Sequence, residues 1–221
     1  MTAPKAAPVT ARDRILAAIR KASQPVTPDA IAAEAAALLE IPDSTRPCLA
    51  AATLPEAFAA KATALGTTID HVADMAGVPQ AVRRYLDGHG LPPSIALEPA
   101  PELAALDWSG ISTHSEIAAD EPAALGLALW GIAENGSLVI HSGPYTPILL
   151  SFLPLHHLVV LRADTLLPYL EDYARTLSQL ATPRNAILIT GPSGTTDIEG
   201  SYVRCAHGPG YLHVIVVAPT G

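Results

Sequence analysis

Residues 186–217, AILITGPSGTTDIEGSYVRCAHGPGYLHVIVV, carry two apolar runs of strand-forming residues, Ala186–Thr190 and Leu212–Ala218, joined by a glycine-rich loop. Runs this short and this apolar suit strands buried on both faces, and such strands belong to sheets covered by helices. The segment therefore predicts two core strands with an anion-friendly loop between them.

The rest of the chain supports that fold class. Thr10 opens a helix with Asp13 three residues on, close to a capping box, and Ile15, Leu16 and Ile19 give one apolar stripe to about Ala22. Thr27 and Pro28 open a second helix, which Pro42 stops. Residues 1–46 read as an Ala/Pro-rich tail followed by a helical arm, and residues 47–221 as one α/β domain. Within that domain the pattern predicts a helix over Leu54–Leu65, a strand over Thr67–Val72, a helix over Val78–Asp87 and a strand over Ser94–Leu97. Pro99–Trp108 is loop or weak helix. Apolar segments follow at Ser115–Ala119, Leu125–Ala133 and Ser137–Ser142, the middle one open between helix and strand. His157–Leu161 is a strand, and Leu170, Tyr173, Leu177 and Leu180 mark a long amphipathic helix. Strands alternating with helices imply a mainly parallel sheet flanked by helices.

Composition excludes several function classes. Thirteen Lys and Arg are scattered along a chain of formal net charge −8, which argues against nucleic acid and against anionic membrane surfaces as partners. Two cysteines, Cys48 and Cys205, form no metal-ligand pair and are too few for an iron–sulfur cluster. Neither a signal peptide nor a membrane span is legible, so a cytoplasmic location is expected. Only 15% of residues are charged, so part of the surface is expected to be covered by a partner.

Four segments carry candidate chemistry. In Gly191-Pro192-Ser193-Gly194-Thr195-Thr196-Asp197 the glycines let backbone N–H groups approach an anion, the hydroxyls add donors, and a helix starting near Thr196 would add its positive end. At the carboxyl end of a parallel strand, this is where a ligand is expected. A tight strand-to-helix turn capped by Thr or Asp is the equally open alternative. In Glu134-Asn135-Gly136-Ser137, Glu134 is placed as a nucleophile or general base, against the alternative of a solvated residue beside an Asn-Gly turn. His207, ahead of Gly208, would donate to an anion or shuttle a proton, or else sit in a turn bonded to backbone. His156 and His157 are strand neighbours that point to opposite faces, so no metal site is expected there.

These segments resemble a known family. GPSGTTDIEG and AHGPGYLHVIVV resemble the closing signature of the lactate-utilisation protein C family, whose unit is the LUD domain; AENGSLVI, FLPLHHLVVL and ARDRILAAIRKA are similar to its other elements, in the same order. The resemblance implies a fold similar to the NagB, ribose-phosphate isomerase and CoA-transferase group. It implies a part in oxidation of L-lactate to pyruvate, in which this chain binds a small organic acid or anion. Iron–sulfur clusters would then reside in partner subunits of the LutA and LutB type, with none bound by this chain. Gly194 and Gly210 stand where the family carries Arg, and Asn135 and Ser137 replace threonines. Glu134-Asn135-Gly136 is similar to the Glu-Asn-Gly element of one CoA-transferase class, where that Glu is the nucleophile. A stand-alone enzyme on an acyl-CoA or sugar phosphate, a non-catalytic ligand-binding module and a homo-oligomer stay open as alternatives.

Overall fold

The computed structural model describes residues 10–22, 26–40, 46–196, 200–205 and 207–219. The expected tail at residues 1–9, the helix stop at Pro42 and the loop residue Asp197 lie outside them. The chain divides into two units, Met1–Arg46 and Pro47–Gly221. In the first, α1 (Ala11–Ala22) opens with Asp13 N–H donating to Thr10 Oγ1 at 3.2 Å, and α2 (Pro28–Leu39) opens with Ala30 N–H donating to Thr27 Oγ1 at 3.2 Å. Both starts follow from a side-chain oxygen meeting N–H groups that the first helical turn leaves unpaired.

The second unit runs α3 (Leu54–Ala64), β1 (Thr68–Val72), α4 (Val78–Gly88), β2 (Ser94–Leu97), the single turn α5 (Pro101–Ala104), β3 (Ser112–His114), β4 (Ala123–Leu127), β5 (Trp130–Ile132), β6 (Ser137–His141), β7 (His156–Arg162), β8 (Leu166–Leu167), α6 (Leu170–Ser178), β9 (Ala186–Ile189), β10 (Gly194–Thr196), β11 (Tyr202–Arg204) and β12 (Tyr211–Val217). Six strands form a parallel sheet in the order β1-β12-β7-β4-β2-β3. Two of its inner strands, β7 and β12, are buried almost throughout, as their largely apolar runs require.

Strand alternation divides the core between the two faces of this sheet. Leu158, Val160, Ile215 and Val217 pack with Val78, Val82 and Leu86 of α4, while Val159, Leu161, Val214 and Val216 pack with Ala57, Phe58 and Ala62 of α3. Each fully buried side chain of this size contributes about 1.5–3 kcal/mol, so these two clusters dominate the stability of the unit.

Three expectations need correction. Ala186–Ile189 is not a core strand of the parallel sheet: β9 pairs antiparallel with β6 at the edge of a second sheet, ordered β8-β5-β6-β9, and Leu188 on it is 40% exposed. Its apolar run serves an edge with one neighbour. The loop after it leads into the β10–β11 hairpin, with Thr195 opposite Val203, so Thr196 belongs to a strand and not to a helix start. The ambiguous stretch Leu125–Ala133 is neither one helix nor one strand. Its halves join different sheets as β4 and β5, and a Cβ at Gly131 would meet Leu166 and Leu161 methyls at 2.7 and 2.8 Å, so only glycine lets β5 approach that closely.

Candidate functional site

Gly191 adopts a φ of 85°, and a Cβ there would lie 3.1 Å from Leu65 Cβ and 3.2 Å from Leu65 O. Only glycine serves both demands, so the loop turns sharply after β9. Ser193 then ties it to the turn before β12. The Ser193 N–H donates to Pro209 O at 2.8 Å, Ser193 O accepts from Cys205 N–H at 3.0 Å, and Ser193 Oγ accepts from His207 N–H at 3.3 Å.

Between this loop and the sheet lies a cavity of about 200 Å³. Gly191, Ser193, His207, Gly208 and Pro209 line it with Ser151 and Phe152, and His157 of β7 and Leu212 of β12 border it. The expected ligand loop is therefore brought together with His207 and Gly208. The edge of the sheet is the opposite of the one expected, because His157 and Leu212 stand at the amino ends of β7 and β12. Among the described residues no Asp, Glu, Lys or Arg lines the cavity.

His157 is the residue that sequence reasoning missed. It is 0% exposed, and neither ring nitrogen finds a hydrogen-bond partner among the described residues. Burial holds its pKa down at about 4, so the ring is neutral near pH 7. Its neighbour is satisfied: His156 Nδ1 lies 2.9 Å from Tyr85 Oη, and its ring stacks on Tyr211 at 4.3 Å. His213 Nδ1 likewise meets Thr68 Oγ1 at 2.8 Å. Alternation sends the adjacent histidines to opposite faces as expected, and of the two only His157 borders the glycine-loop cavity. The available signal was a pair of histidines opening an otherwise apolar strand.

The remaining predicted residues lie elsewhere. Pro192 faces the turn at Gly66, and Gly194, Thr195 and Thr196 run outward on the exposed strand β10. Glu134, Asn135 and Gly136 form the β5–β6 turn and do not line the cavity. Glu134 Oε1 accepts the Leu170 N–H at the start of α6, and Asn135 Oδ1 accepts the Ser137 N–H at 3.0 Å. One bond joins this turn to the loop strand: Ser137 Oγ and Thr190 Oγ1 are 2.6 Å apart. Among the described residues no group of three or more His, Cys, Asp or Glu is placed to hold a metal ion.

The carboxyl edge of the parallel sheet, where ligands of such folds usually sit, holds a buried acid. Glu98, 3% exposed, accepts from Leu127 N–H at 2.8 Å and Thr146 Oγ1 at 2.7 Å. Burial raises its pKa, against those two bonds. It borders a cavity of about 340 Å³ with His141 and Tyr145. Both of its oxygens are partnered, whereas both nitrogens of His157 are not. An unmet buried polar group costs about 1–3 kcal/mol, and His157, 0% exposed, bears that cost within the packed sheet.

Residues 55–217 match the LUD domain family, which takes in every residue lining the glycine-loop cavity. The chain belongs to the LUD domain family. Relatives of this LUD chain include the Escherichia coli "Uncharacterized protein YkgG", 35% identical over 115 residues, which are 49% of this chain and 50% of that protein. "Lactate utilization protein C" of Anoxybacillus flavithermus is 29% identical over 50% of this chain and 51% of its own. The protein of the same name from Shouchella clausii is 29% identical over 69% of each. The chain spans about half the length of the first of these relatives. A Deinococcus radiodurans crystal structure of a DUF162 family protein superposes with a TM-score of 0.55 at 19% identity, covering 74% of this chain and 96% of that one, and shares the fold.

At the two positions of this LUD chain where arginine is expected, neighbouring side chains lie across the glycine. A Cβ at Gly194 would collide with the Tyr202 side chain, which lies across it from β11. A Cβ at Gly210 would collide with Cys205 and come within 2.8 Å of Arg204 Cγ. Arg204 donates from Nη1 to Gly210 O at 3.2 Å and lies 4.6 Å over the Tyr211 ring. A guanidinium therefore reaches the neighbourhood of position 210 from position 204.

Proposed function

We propose that this chain serves L-lactate utilisation in the cytoplasm as a subunit without redox centres, binding a small organic acid in the glycine-loop cavity. The observation that carries the reading is that cavity itself: it lies within the family match, it is bordered by an unpartnered buried imidazole, and its rim offers Ser193, His207 and the Gly191 backbone. Relatives named lactate utilization protein C supply the substrate class. Cys48 and Cys205 are both exposed and free, and electrons in this reading pass through cysteine-rich partner subunits carrying iron–sulfur clusters.

A cavity of about 200 Å³ suits a solute of the size of lactate or pyruvate. Its apolar lining, Phe152, Leu188 and Leu212 among it, would cover the methyl group, and the hydroxyls and the exposed His207 ring would serve the oxygens. The absence of a lining Lys or Arg among the described residues disfavours phosphate esters, since burying a dianion without a cation is costly.

The experiment is a thermal-shift titration with L-lactate, pyruvate and inorganic phosphate. Binding raises the midpoint by mass action, worth about 2.7 kcal/mol at a hundredfold excess over Kd. One of the two organic acids should raise Tm, phosphate should not, and Ser193→Ala should weaken the shift. If neither acid moves the wild-type midpoint, the reading is wrong.

A further inference from the structure

We infer that the cavity beside Glu98 binds a small quaternary ammonium solute, held by the charge of Glu98 and Glu102 and by the aromatic surface of Tyr145. This is a second site. Its lining shares no residue with the glycine-loop cavity, and nothing in it depends on the organic-acid reading.

The cavity of about 340 Å³ is lined by apolar Leu127, Leu129 and Ile140 together with Glu98, Glu102 and Tyr145. Its size is within the range usual for small-ligand sites. Acidic side chains are almost never fully buried unless paired. Glu98 is 3% exposed, yet its two oxygens meet neutral donors, the Leu127 N–H and the Thr146 hydroxyl. Glu102 lies near enough to push the Glu98 pKa further up by like charge. Among the described residues neither acid takes part in an ion pair. Arg162, which lines a neighbouring cavity with Glu102, is held by Asp164 through Nε at 3.1 Å and Nη2 at 2.8 Å, so its charge is offset there. His141 also lines the cavity, and burial lowers its pKa, which keeps the ring neutral near pH 7. A cation placed in this cavity would offset two acids that the described residues leave without one.

The remaining chemistry selects the kind of cation. A primary ammonium brings three N–H donors, each of which needs an acceptor on leaving water. Both Glu98 oxygens already accept, the Thr146 hydroxyl donates to Glu98, and His141 Nε2 lies 2.8 Å from Tyr173 Oη. The cavity thus offers field and apolar surface more than open acceptors. A quaternary ammonium has no donor to satisfy. Its methyl groups suit Leu127, Leu129 and Ile140, and its charge is attracted to a tyrosine ring as well as to carboxylates. Glu98 is too enclosed to be touched and acts through its charge at a distance. Glu102 and Tyr145, both exposed, make the contact.

Calorimetry on the full chain tests this with choline and 3,3-dimethyl-1-butanol, its uncharged carbon isostere. Choline should bind about tenfold or more tightly than the isostere. In wild type, the methyl NMR signals of Leu127, Leu129 and Ile140 should move as choline is added. Glu102→Gln, at an exposed position, should weaken choline about fivefold, and Tyr145→Leu about threefold, while Tyr145→Phe should keep most of the affinity. Phosphatidylcholine vesicles, a lipid source of the same group, should not retain the chain, because each headgroup brings a phosphate towards the two acids. The inference is overturned if choline and its isostere bind alike, if neither binds, if the signals that move belong to the glycine loop instead, or if the vesicles retain the chain. The choline, isostere and vesicle arms use wild type, so a variant that does not fold leaves the test intact. Organic-acid binding is read separately at the glycine loop, and its failure would leave this site standing.

Discussion

Glu134 Oε1 accepts the Leu170 backbone N–H at 2.7 Å, so the acid of the Glu-Asn-Gly turn caps the amino end of α6. The residue is half-buried, and its own N–H donates to Pro168 O at 3.1 Å. A carboxylate at a helix start satisfies an orphan donor and complements the helix dipole. Glu134→Ala should cost about 1 kcal/mol of stability, and Glu134→Gln less, since the amide keeps an acceptor. Urea denaturation of both variants checks this. An acyl-CoA exchange activity that disappears in Glu134→Gln at unchanged stability would instead assign the residue as a nucleophile.

Gly136 should be the least replaceable residue of that turn. Its φ is 73°, and a Cβ would stand 2.6 Å from Ala62 N and 2.9 Å from Ala62 Cα. Backbone cannot step aside as a flexible side chain does. Gly136→Ala should destabilise by about 2–4 kcal/mol, more than the left-handed conformation alone costs, because α3 must move. A urea midpoint within experimental error of wild type would contradict the close approach.

Gly126→Ala probes the buried acid. A Cβ there would lie 2.8 Å from Glu98 Oε2 and 3.0 Å from Leu150 Cδ2. Moving the carboxylate breaks its bond from the Leu127 N–H and leaves both groups unmet, about 1–3 kcal/mol. Loss of hydrogen-exchange protection at the Leu127 amide is the specific readout, since simple overpacking would leave that bond in place.

Acid should destabilise the fold through its histidines. The His157 pKa falls from 6.5 to about 4 on folding through burial, so between those values the unfolded chain binds the proton and the folded one does not. Stability is then fully present above pH 6.5 and declines as pH falls towards 4, on the order of 3 kcal/mol for this fully buried ring. His156 and His213, also held near 4 mainly by burial, act in the same direction. Glu98, whose pKa burial raises, acts oppositely by favouring the protonated folded state. Urea midpoints at neutral and mildly acid pH should fall with pH, and His157→Phe should flatten part of the slope.

Much of the fold was legible in local pattern. Thr53 Oγ1 accepting the Glu56 N–H at 3.4 Å, and the buried runs of β7 and β12, are consequences of residue type at short spacing. The site was legible in pieces: Gly191, Ser193, His207 and Gly208 were singled out and are brought together. Glu134 was singled out by a motif, and the structure places its carboxylate on a helix end.

The sequence by itself determined the periodicities, the helix starts and the adjacency of His156 and His157, because these depend on neighbours within a turn or a pleat. Only the tertiary structure decided that Ala186–Ile189 joins an antiparallel edge, that the glycine loop meets the amino ends of β7 and β12, and that one histidine is paired while the next faces a cavity. Strand pairing is chosen by long-range burial, to which an apolar run in β9 and one in β12 look alike until their neighbours are present.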